Sequence, residues 1–283
     1  MTDAPELSIV IVSYNTRQLL MECLESIYAH ASVPLQVIVV DNCSSDGTQT
    51  AVQTAFPQVK LLANTHNAYF SGGNNQGIMA ACGRYVMVMN PDMLVRGDTF
   101  RQLVEQMDAD PTIGAATTVM YFPDGRLQRN GSYFSTYPYL LFNYTLIGKL
   151  LPARKRAFND WLWIREWDRT TARDIDVLPG SCIIAKRETW QRVGGFDPYM
   201  PMYFSDEYFS LCVQQGSGRT RYLCSDGLVH YEGQSAKQVS AWALSRYLND
   251  LLVYTRRRWG WWAMSVLAVL LIPTWIVQRI KAR

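Results

Sequence analysis

Three strand-like runs in the first ninety residues end in polar groups, and these groups are the first candidates for chemistry. Asp41 and Asn42 follow the run 36–40 and precede a turn at 44–47. A carboxylate in this position accepts hydrogen bonds from a nucleobase ring N–H or from ribose hydroxyls, while turn amides approach a phosphate. We therefore predict that Asp41 and Asn42 contact a nucleotide, whereas Asp46 inside the turn is better explained as a helix cap.

The second polar group, Asn90-Pro91-Asp92, follows the run 85–89. Mg²⁺ in proteins is commonly held by one or two carboxylates, while phosphate oxygens and water complete its coordination. Asp92 on a short turn is therefore suited to a cation that bridges a diphosphate, and Asn90 is a candidate donor contact beside it. His230 is a candidate for the same metal or phosphate, although a single His is more often structural.

The third polar group, Ser13-Tyr14-Asn15, and the segment 67–77 complete a candidate donor-binding edge. The segment reads NAYFSGGNNQG, and a helix is predicted over 77–82. Its glycine pair and its amide side chains, Asn74 among them, would let the backbone approach a sugar or a phosphate. The segment lacks the lysine of a P-loop, and the chain contains no G-x-G-x-x-G, so nicotinamide and flavin cofactors have little support.

The second half of the chain offers one loop and one pair of acids. Gly180 and Ser181 lie in the loop LPGS, and Asp206 and Glu207 are adjacent at the start of a helical pattern. The favourable position of acids in the first turn of a helix is enough to explain the pair. The functional interpretation is a general base, because deprotonating a hydroxyl that attacks a sugar needs one well-placed carboxylate.

The elements that would position these groups alternate between strand and helix. A helical pattern over 17–31 separates the first two of four apolar, β-branched runs, which cover 7–13, 36–40, 59–63 and 85–89. Runs without polar alternation are typical of strands covered on both faces. This order predicts an α/β fold with a mostly parallel, doubly wound sheet, in which ligands lie at the carboxyl ends of the strands.

The end of the chain has a different composition. Residues 238–283 contain seven Arg or Lys and one acid, whereas the rest has 20 bases and 23 acids. Within this tail, 259–278 carries no charge and is long enough, at about 1.5 Å per residue, to cross a bilayer core. Pro273, the Trp residues and the basic flanks favour a helix in the membrane interface, with a span, a buried helix or a homo-oligomer contact as alternatives. We predict a domain over 1–237 and a membrane-associating helical tail over 238–283, with 256–283 as the membrane contact.

The remaining composition excludes several classes of protein. A mildly acidic body argues against nucleic-acid binding, which needs a basic face. Six scattered Cys without a C-x-x-C pair, after a polar start with no signal peptide, are predicted to be reduced cytosolic thiols. The aromatic-rich stretch 121–176 is predicted to be a helical insert that packs its rings, with a surface for a lipid or sugar acceptor as the alternative.

Seven ordered blocks over 7–233 resemble the family 2 glycosyltransferases, most of all the bacterial rhamnosyltransferases of O-antigen and cell-wall assembly. The blocks read SIVIVSYN, VIVVDNCSSDGT, NAYFSGGNNQG, VMVMNPD, LPGSCIIAKRETWQRVGGFD, MYFSDE and LVHYEG. The resemblance implies a GT-A fold and an inverting transfer that depends on Mg²⁺ or Mn²⁺. It implies that Asp41 holds the base or ribose, that Asp92 binds the metal and that Asp206 is the catalytic base. His230 would assist the metal or diphosphate, and the Gly180–Ser181 loop would face a sugar.

The resemblance also implies partners and a location. These are a dTDP- or UDP-sugar donor and a lipid-linked glycan acceptor at the cytoplasmic face of the inner or plasma membrane. The sequence departs from the family pattern at Asn90, where the first acid of D-x-D is expected, and at Ser205, where a Glu precedes the base, so Glu207 remains an alternative base. A non-catalytic nucleotide-binding membrane scaffold is the competing interpretation. A sugar-nucleotide pyrophosphorylase is disfavoured, because Ser13-Tyr14-Asn15 stands where that class has a Gly-rich loop.

Overall fold

The computed structural model describes residues 4–231 and 241–281. The first half alternates strands and helices in the order β1 (Leu7–Ser13), α1 (Arg17–Ala29), β2 (Leu35–Asp41), α2 (Thr48–Ala55), β3 (Lys60–Ala63), α3 (Tyr69–Ala80) and β4 (Tyr85–Met89). The strands form where β-branched and apolar residues are buried on both faces. β1 and β4 have the predicted bounds, while β2 extends one residue further at each end.

The second half begins with a short strand and ends with a long helix. Its elements are β5 (Met93–Val95), α4 (Thr99–Ala109), β6 (Ile113–Tyr121), α5 (Tyr137–Tyr144), α6 (Ile147–Leu150), α7 (Pro152–Leu162), β7 (Arg173–Asp174), β8 (Cys182–Lys186), α8 (Arg187–Val193), α9 (Ser205–Gly216), β9 (Arg219–His230) and α10 (Ala241–Lys281). Helices α5 to α7 form the predicted aromatic insert, in which Tyr133 stacks on Trp161 and Phe142 on Phe158.

The described strands form one sheet in the order β3-β2-β1-β4-β8-β6-β9-β5, with β7 paired to β9. β3, β2, β1 and β4 are parallel, as predicted, so their carboxyl ends share one edge. β8 runs antiparallel between β4 and β6, which makes the second half of the sheet mixed. Helices cover both faces: α1, α2 and α4 pack on one, and α3, α8 and α9 on the other. The α/β doubly wound class is confirmed.

Helix α3 lies directly on β1, and its glycines make this approach close. A Cβ at Gly77 would lie 2.2 Å from Val10 Cγ1, and a Cβ at Gly73 would lie 2.9 Å from Val12 Cγ1. The helix covers Tyr69–Ala80, so the prediction of a helix over 77–82 placed its start too late and its end two residues too far along the chain. Gly73 and Gly77 therefore allow α3 to pack closely on β1.

The C-terminal helix α10 packs on the aromatic insert and on the start of α9. It consists of two helical stretches joined at Gly260, where φ is 85° and ψ is −177°. Its apolar contacts join Leu248, Leu251, Leu267 and Leu271 to Tyr139, Leu140 and Leu162. Within the described residues, Ser245–Ile276 is long and apolar enough to cross a membrane, by length and composition alone. The predicted domain boundary between 237 and 238 lies outside the described residues.

Candidate active site at the carboxyl edge of the sheet

Asp41 ends β2 at the carboxyl edge, opposite Ser13 at the end of β1. Its carboxylate is fully buried, and Oδ2 accepts hydrogen bonds from the Ser44 amide (3.0 Å) and from Gln49 Nε2 (2.7 Å). Oδ1 is buried without a hydrogen-bond partner among the described residues. Because an unsatisfied buried acceptor is costly, this oxygen is suited to accept a hydrogen bond from a ligand.

The residues after β1 hold the turn that follows β2. Asn15 adopts a left-handed backbone with φ of 53°, and its Oδ1 accepts a hydrogen bond from the Ser45 amide (2.8 Å). Its own amide donates to Ser44 Oγ (2.9 Å). Ser13 is buried with its hydroxyl 2.9 Å from that of Thr16, whereas the Tyr14 side chain is exposed. Tyr14 is therefore the member of this group with a free surface for a ligand.

Asn42 and Asn74 are both buried, and their amide groups act mainly within the protein. Asn42 Nδ2 donates to the carbonyl of Tyr69 (3.0 Å), and its Oδ1 accepts from Asn64 Nδ2 (2.9 Å). Asn74 Nδ2 donates to the Phe70 carbonyl (2.9 Å), while its Oδ1 has no hydrogen-bond partner in the described parts of the chain. Asn42 thus fixes the start of α3 against the end of β2.

Asp92 and His230 meet although they are far apart in sequence. β5 pairs with β9 so that Met93 lies opposite His230, and the Tyr231 amide donates to the Asp92 carbonyl (3.0 Å). This pairing brings His230 Nε2 to 3.6 Å from Asp92 Oδ1. No cluster of three His, Cys, Asp or Glu with metal-ligand geometry occurs in 4–231 or 241–281. One carboxylate and one imidazole suit a divalent cation that takes its remaining ligands from phosphate and water.

Gln128 orients the imidazole of His230, and sequence reasoning did not identify it. Gln128 Nε2 donates to the His230 carbonyl (2.7 Å), so its Oε1 must face the ring, 3.0 Å from Nδ1. Oε1 can only accept, so Nδ1 carries a proton and Nε2 is the ring nitrogen that faces Asp92. An imidazole oriented through its other nitrogen is the usual arrangement of a metal ligand.

A chain of backbone contacts connects Asn90 to Asp206. The Asn90 amide donates to the Ser181 carbonyl (2.9 Å), and the Gly180 amide donates to Asp206 Oδ2 (2.9 Å). A Cβ at Gly180 would lie 3.2 Å from that oxygen and 3.1 Å from the Phe70 ring. Glycine at this position therefore lets the loop approach the carboxylate closely, and it joins the Asn90–Asp92 turn to α9.

Asp206 lies in the first turn of α9 and is partly exposed. Burial raises the pKa of its carboxyl above the usual 3.8, while the amide hydrogen bonds from Gly180 and Glu207 act against the rise. A carboxylate with a raised pKa is a better proton acceptor than an ordinary aspartate.

Glu207 is buried and its two oxygens are used within the protein. The Ser135 amide (2.6 Å) and the Tyr254 hydroxyl (2.6 Å) donate to Oε1, and the Ser135 hydroxyl (3.1 Å) donates to Oε2. Arg258 Nη1 lies 3.5 Å from Oε1. Burial raises the pKa of Glu207 to about 7, and the hydrogen bond from Tyr254 is the largest effect in the opposite direction. Glu207 thus joins α9 to α10.

The sheet order and the polar groups at its carboxyl edge define an α/β protein of the GT-A class. A solved mannosyltransferase from Pyrobaculum calidifontis, in complex with GDP-Man and Mn²⁺, has the same fold. It superposes with a TM-score of 0.59 at 19% identity, covering 96% of this chain and 75% of that one. The chain belongs to the family described as Glycosyl transferase family 2, which matches residues 8–186. The family and fold implied by the sequence blocks are thereby confirmed.

Two relatives differ in how much of the chain they match. The chain is 37% identical over 106 residues to the succinoglycan biosynthesis protein ExoO of Rhizobium meliloti (strain 1021), which covers 37% of this chain and 30% of that protein. It is 25% identical over 279 residues to the N-acetylglucosaminyl-diphospho-decaprenol L-rhamnosyltransferase of Mycobacterium tuberculosis (strain ATCC 25618 / H37Rv), covering 93% of this chain and 87% of that protein. The match thus spans under a third of the first relative and most of the second.

Proposed function

We propose that this chain transfers a sugar, with rhamnose favoured, from a nucleotide donor to a lipid-linked or growing polysaccharide acceptor of the bacterial surface. The observation that carries the proposal is the connection between Asp206 and the Asn90–Asp92 turn through Gly180 and Ser181. It links a proton acceptor to a diphosphate site within one loop. The rhamnosyltransferase relative, matched over 93% of this chain, supports the sugar and the lipid-linked acceptor.

In this proposal the donor nucleotide lies at the ends of β1 and β2. Asp41 Oδ1, the exposed Tyr14 ring and the Ser44–Gly47 turn would receive the base, the ribose and the first phosphate. Ser13, Asn15, Asn42 and Asn74 hold these loops in place. The donor is a dTDP- or UDP-sugar, recognised by acceptor oxygens at the strand ends.

Asp92 and His230 would hold Mg²⁺ or Mn²⁺, with Gln128 orienting the imidazole. When bound, the cation supplies positive charge at the diphosphate that leaves the sugar. The solved Pyrobaculum mannosyltransferase is in complex with GDP-Man and Mn²⁺, which supports a nucleotide-sugar donor and a divalent cation here.

Asp206 accepts the proton of the acceptor hydroxyl in the proposed step. The hydroxyl oxygen forms a bond to the anomeric carbon from the face opposite the diphosphate, and the bond to the diphosphate oxygen breaks with its electron pair. The result is inversion at that carbon. The sequence left Glu207 as an alternative base, but Glu207 is buried and bonded to Ser135 and Tyr254, whereas Asp206 is partly exposed, which favours Asp206.

The exposed face of α10 supports association with a membrane surface. Trp262 is 87% exposed, and the apolar side chains on the same face of the helix are exposed as well: Val266, Val269, Ile272 and Ile276. Leu267 and Leu271 are buried against the protein on the opposite face. A helix that packs one face on its own domain and exposes an apolar face is better suited to lie in the bilayer interface than to cross the bilayer. The cytoplasmic leaflet, where anionic lipids attract basic residues, is the proposed location.

A test of this function measures release of nucleoside diphosphate from UDP-, dTDP- and GDP-sugars with Mg²⁺ or Mn²⁺ and a total lipid extract. We expect release with one donor that requires both the metal and the lipid. Nucleotide binding without release for any donor would favour the non-catalytic scaffold instead. The base is identified by a matched pair of variants: Asp206→Asn lowers kcat by about 10²- to 10⁴-fold, while Glu207→Gln retains far more activity. The reverse order would make Glu207 the base.

A further inference from the structure

Helix α10 contacts the segment 202–207, which contains the proposed base, on both sides of Asp206. Asp250 and Tyr254 lie one helical turn apart on α10, and both side chains are fully buried. Asp250 reaches the residues before Asp206, and Tyr254 reaches the residue after it. The two contacts are independent of each other, because they use different atoms on both partners.

The first contact holds the backbone that leads into α9. Asp250 Oδ2 accepts hydrogen bonds from the amides of Met202 (3.1 Å) and Tyr203 (3.0 Å). These amides belong to the loop directly before the helix, where intrahelical partners do not exist. One carboxylate oxygen therefore fixes two consecutive peptide groups.

The next residue, Phe204, adopts a backbone conformation that needs outside support. Its φ is 61°, in the left-handed region that is unfavourable for a residue with a Cβ. Its ring packs on Tyr254 at 5.4 Å and on Tyr247 at 5.1 Å between ring centroids. Helix α10 thus supplies the rings that keep this turn in place, and the turn sets the direction in which α9 begins.

The second contact fixes the residue that follows Asp206. The Tyr254 hydroxyl donates to Glu207 Oε1 (2.6 Å), and the Ser135 amide donates to the same oxygen (2.6 Å). The Glu207 amide in turn donates to Asp206 Oδ1 (2.9 Å). Movement of Glu207 would therefore change the orientation of the Asp206 carboxylate.

We propose that Asp250 and Tyr254 are positioning residues that hold the Asp206 carboxylate in its reactive orientation. The first half of α10 is then part of the catalytic unit as well as the link to the membrane-facing stretch after Gly260. This inference rests on the proposed function of Asp206. Since neither residue contacts the nucleotide edge at Asp41, their loss acts on turnover and leaves nucleotide binding intact.

The experiment compares Tyr254→Phe with Thr255→Val in the full chain. Thr255 is its matched control, because this buried hydroxyl donates only within α10, to the Leu251 carbonyl (2.7 Å). We expect Tyr254→Phe to lower kcat by about tenfold with an unchanged KM for the donor, as misorientation of a reacting group does. In Tyr254→Phe, the acidic limb of the pH–activity profile shifts relative to the wild type. Thr255→Val keeps the wild-type rate and pH profile.

Asp250 is tested by graded replacement. Asp250→Ala removes the acceptor for two amides and lowers kcat, and Asp250→Asn, which keeps an acceptor oxygen, restores most of the rate. Equal kcat losses in Tyr254→Phe and Thr255→Val, or a parallel loss of nucleoside diphosphate affinity, would overturn the proposal. A general loss of stability would then explain the lower kcat.

Amide hydrogen exchange separates this proposal from the proposed function. We expect faster exchange in the segment 202–207 for Tyr254→Phe and Asp250→Ala, and no change there for Thr255→Val. Unchanged exchange in all three variants would overturn the positioning role whether or not the wild type transfers a sugar. Absence of transfer by the wild type, with the exchange pattern as expected, would instead overturn the proposed function.

Discussion

Asp206 and Glu207 are neighbours in sequence but have opposite surroundings. Asp206 is partly exposed and receives two backbone amides, whereas Glu207 is buried and receives Ser135 and Tyr254. Successive residues of a helix point about 100° apart, so one turn of α9 presents one acid to the site and the other to α10. Of these two adjacent acids, Asp206 is therefore the proposed base, and Glu207 connects α9 to α10.

The raised pKa of Glu207 predicts a pH dependence of stability. Its pKa is about 7 in the folded protein against an ordinary value of 4.5. Between these values the folded state binds more protons than the unfolded state, so the free energy of unfolding falls as pH rises through this window. The full effect is about 3 kcal/mol, at about 1.4 kcal/mol for each pH unit. Glu207→Gln removes this dependence, which denaturant unfolding at a series of pH values measures. An identical pH profile in the variant would contradict the assignment.

Gln128 predicts an effect on metal affinity. Gln128→Leu removes the hydrogen-bond acceptor for His230 Nδ1, so the imidazole is no longer held in one orientation. Mn²⁺ binding in the presence of nucleoside diphosphate then weakens by about 10- to 100-fold. Calorimetric titration with Mn²⁺ measures this directly. Gln106→Leu is the control, because Gln106 bonds the carbonyls of Gln102 and Cys224, away from the Asp92–His230 pair. Equal affinities for the two variants would exclude the role of Gln128.

At the scale of single elements, the approach of α3 to β1 depends on Gly77. Gly77→Ala places a Cβ 2.2 Å from Val10 Cγ1, and the resulting overpacking lowers the free energy of unfolding by about 1–3 kcal/mol. Gly216→Ala is the matched control, because Gly216 is also helical and a Cβ there meets nothing within 4 Å. Thermal or denaturant unfolding of both variants measures the difference. A Gly77→Ala protein as stable as Gly216→Ala would show that α3 can move away from the sheet.

Element patterns in the sequence predicted the parallel half of the sheet well. Strands β1 and β4 have the expected bounds because buried parallel strands are marked by unbroken β-branched runs. The first part of helix α3 was not predicted because SGGNNQG has weak helix propensity, and only the packing on Val10 and Val12 explains its glycines.

The candidate site was predictable only where its residues follow strands directly. Asp41 and Asp92 follow their strands in sequence, so the parallel topology brings them to one edge. Gln128 carries no local signal, since its role arises from the pairing of β9 with β5 and from one long-range contact to His230. The contacts of Asp250 and Tyr254 likewise depend on how α10 packs on the domain, and residue spacing in the sequence does not predict that packing.

At the scale of the whole molecule, the exposed face of α10 predicts binding to anionic vesicles. Trp262→Ser weakens partitioning into vesicles that contain anionic lipid by about tenfold, since a Trp ring is a principal anchor at a bilayer interface. Met79→Ser is the control, because Met79 is equally exposed, at 87%, on α3. Co-sedimentation with vesicles measures both. Equal partitioning of the two variants would remove the face of α10 from consideration as the membrane contact.

Helix α10 is also fixed to its own domain beyond Gly260, since the Tyr137 hydroxyl donates to the Ala263 carbonyl (2.8 Å) and the Thr274 hydroxyl to the Tyr144 carbonyl (3.0 Å). With α10 in the membrane interface as proposed, the carboxylate of Asp206, the proposed base, would stand at a fixed height above the lipid headgroups. Such an enzyme would modify the sugar hydroxyl that lies at that height and would leave hydroxyls nearer to or further from the bilayer unmodified. Selection of the acceptor would then be a matter of distance as well as of shape.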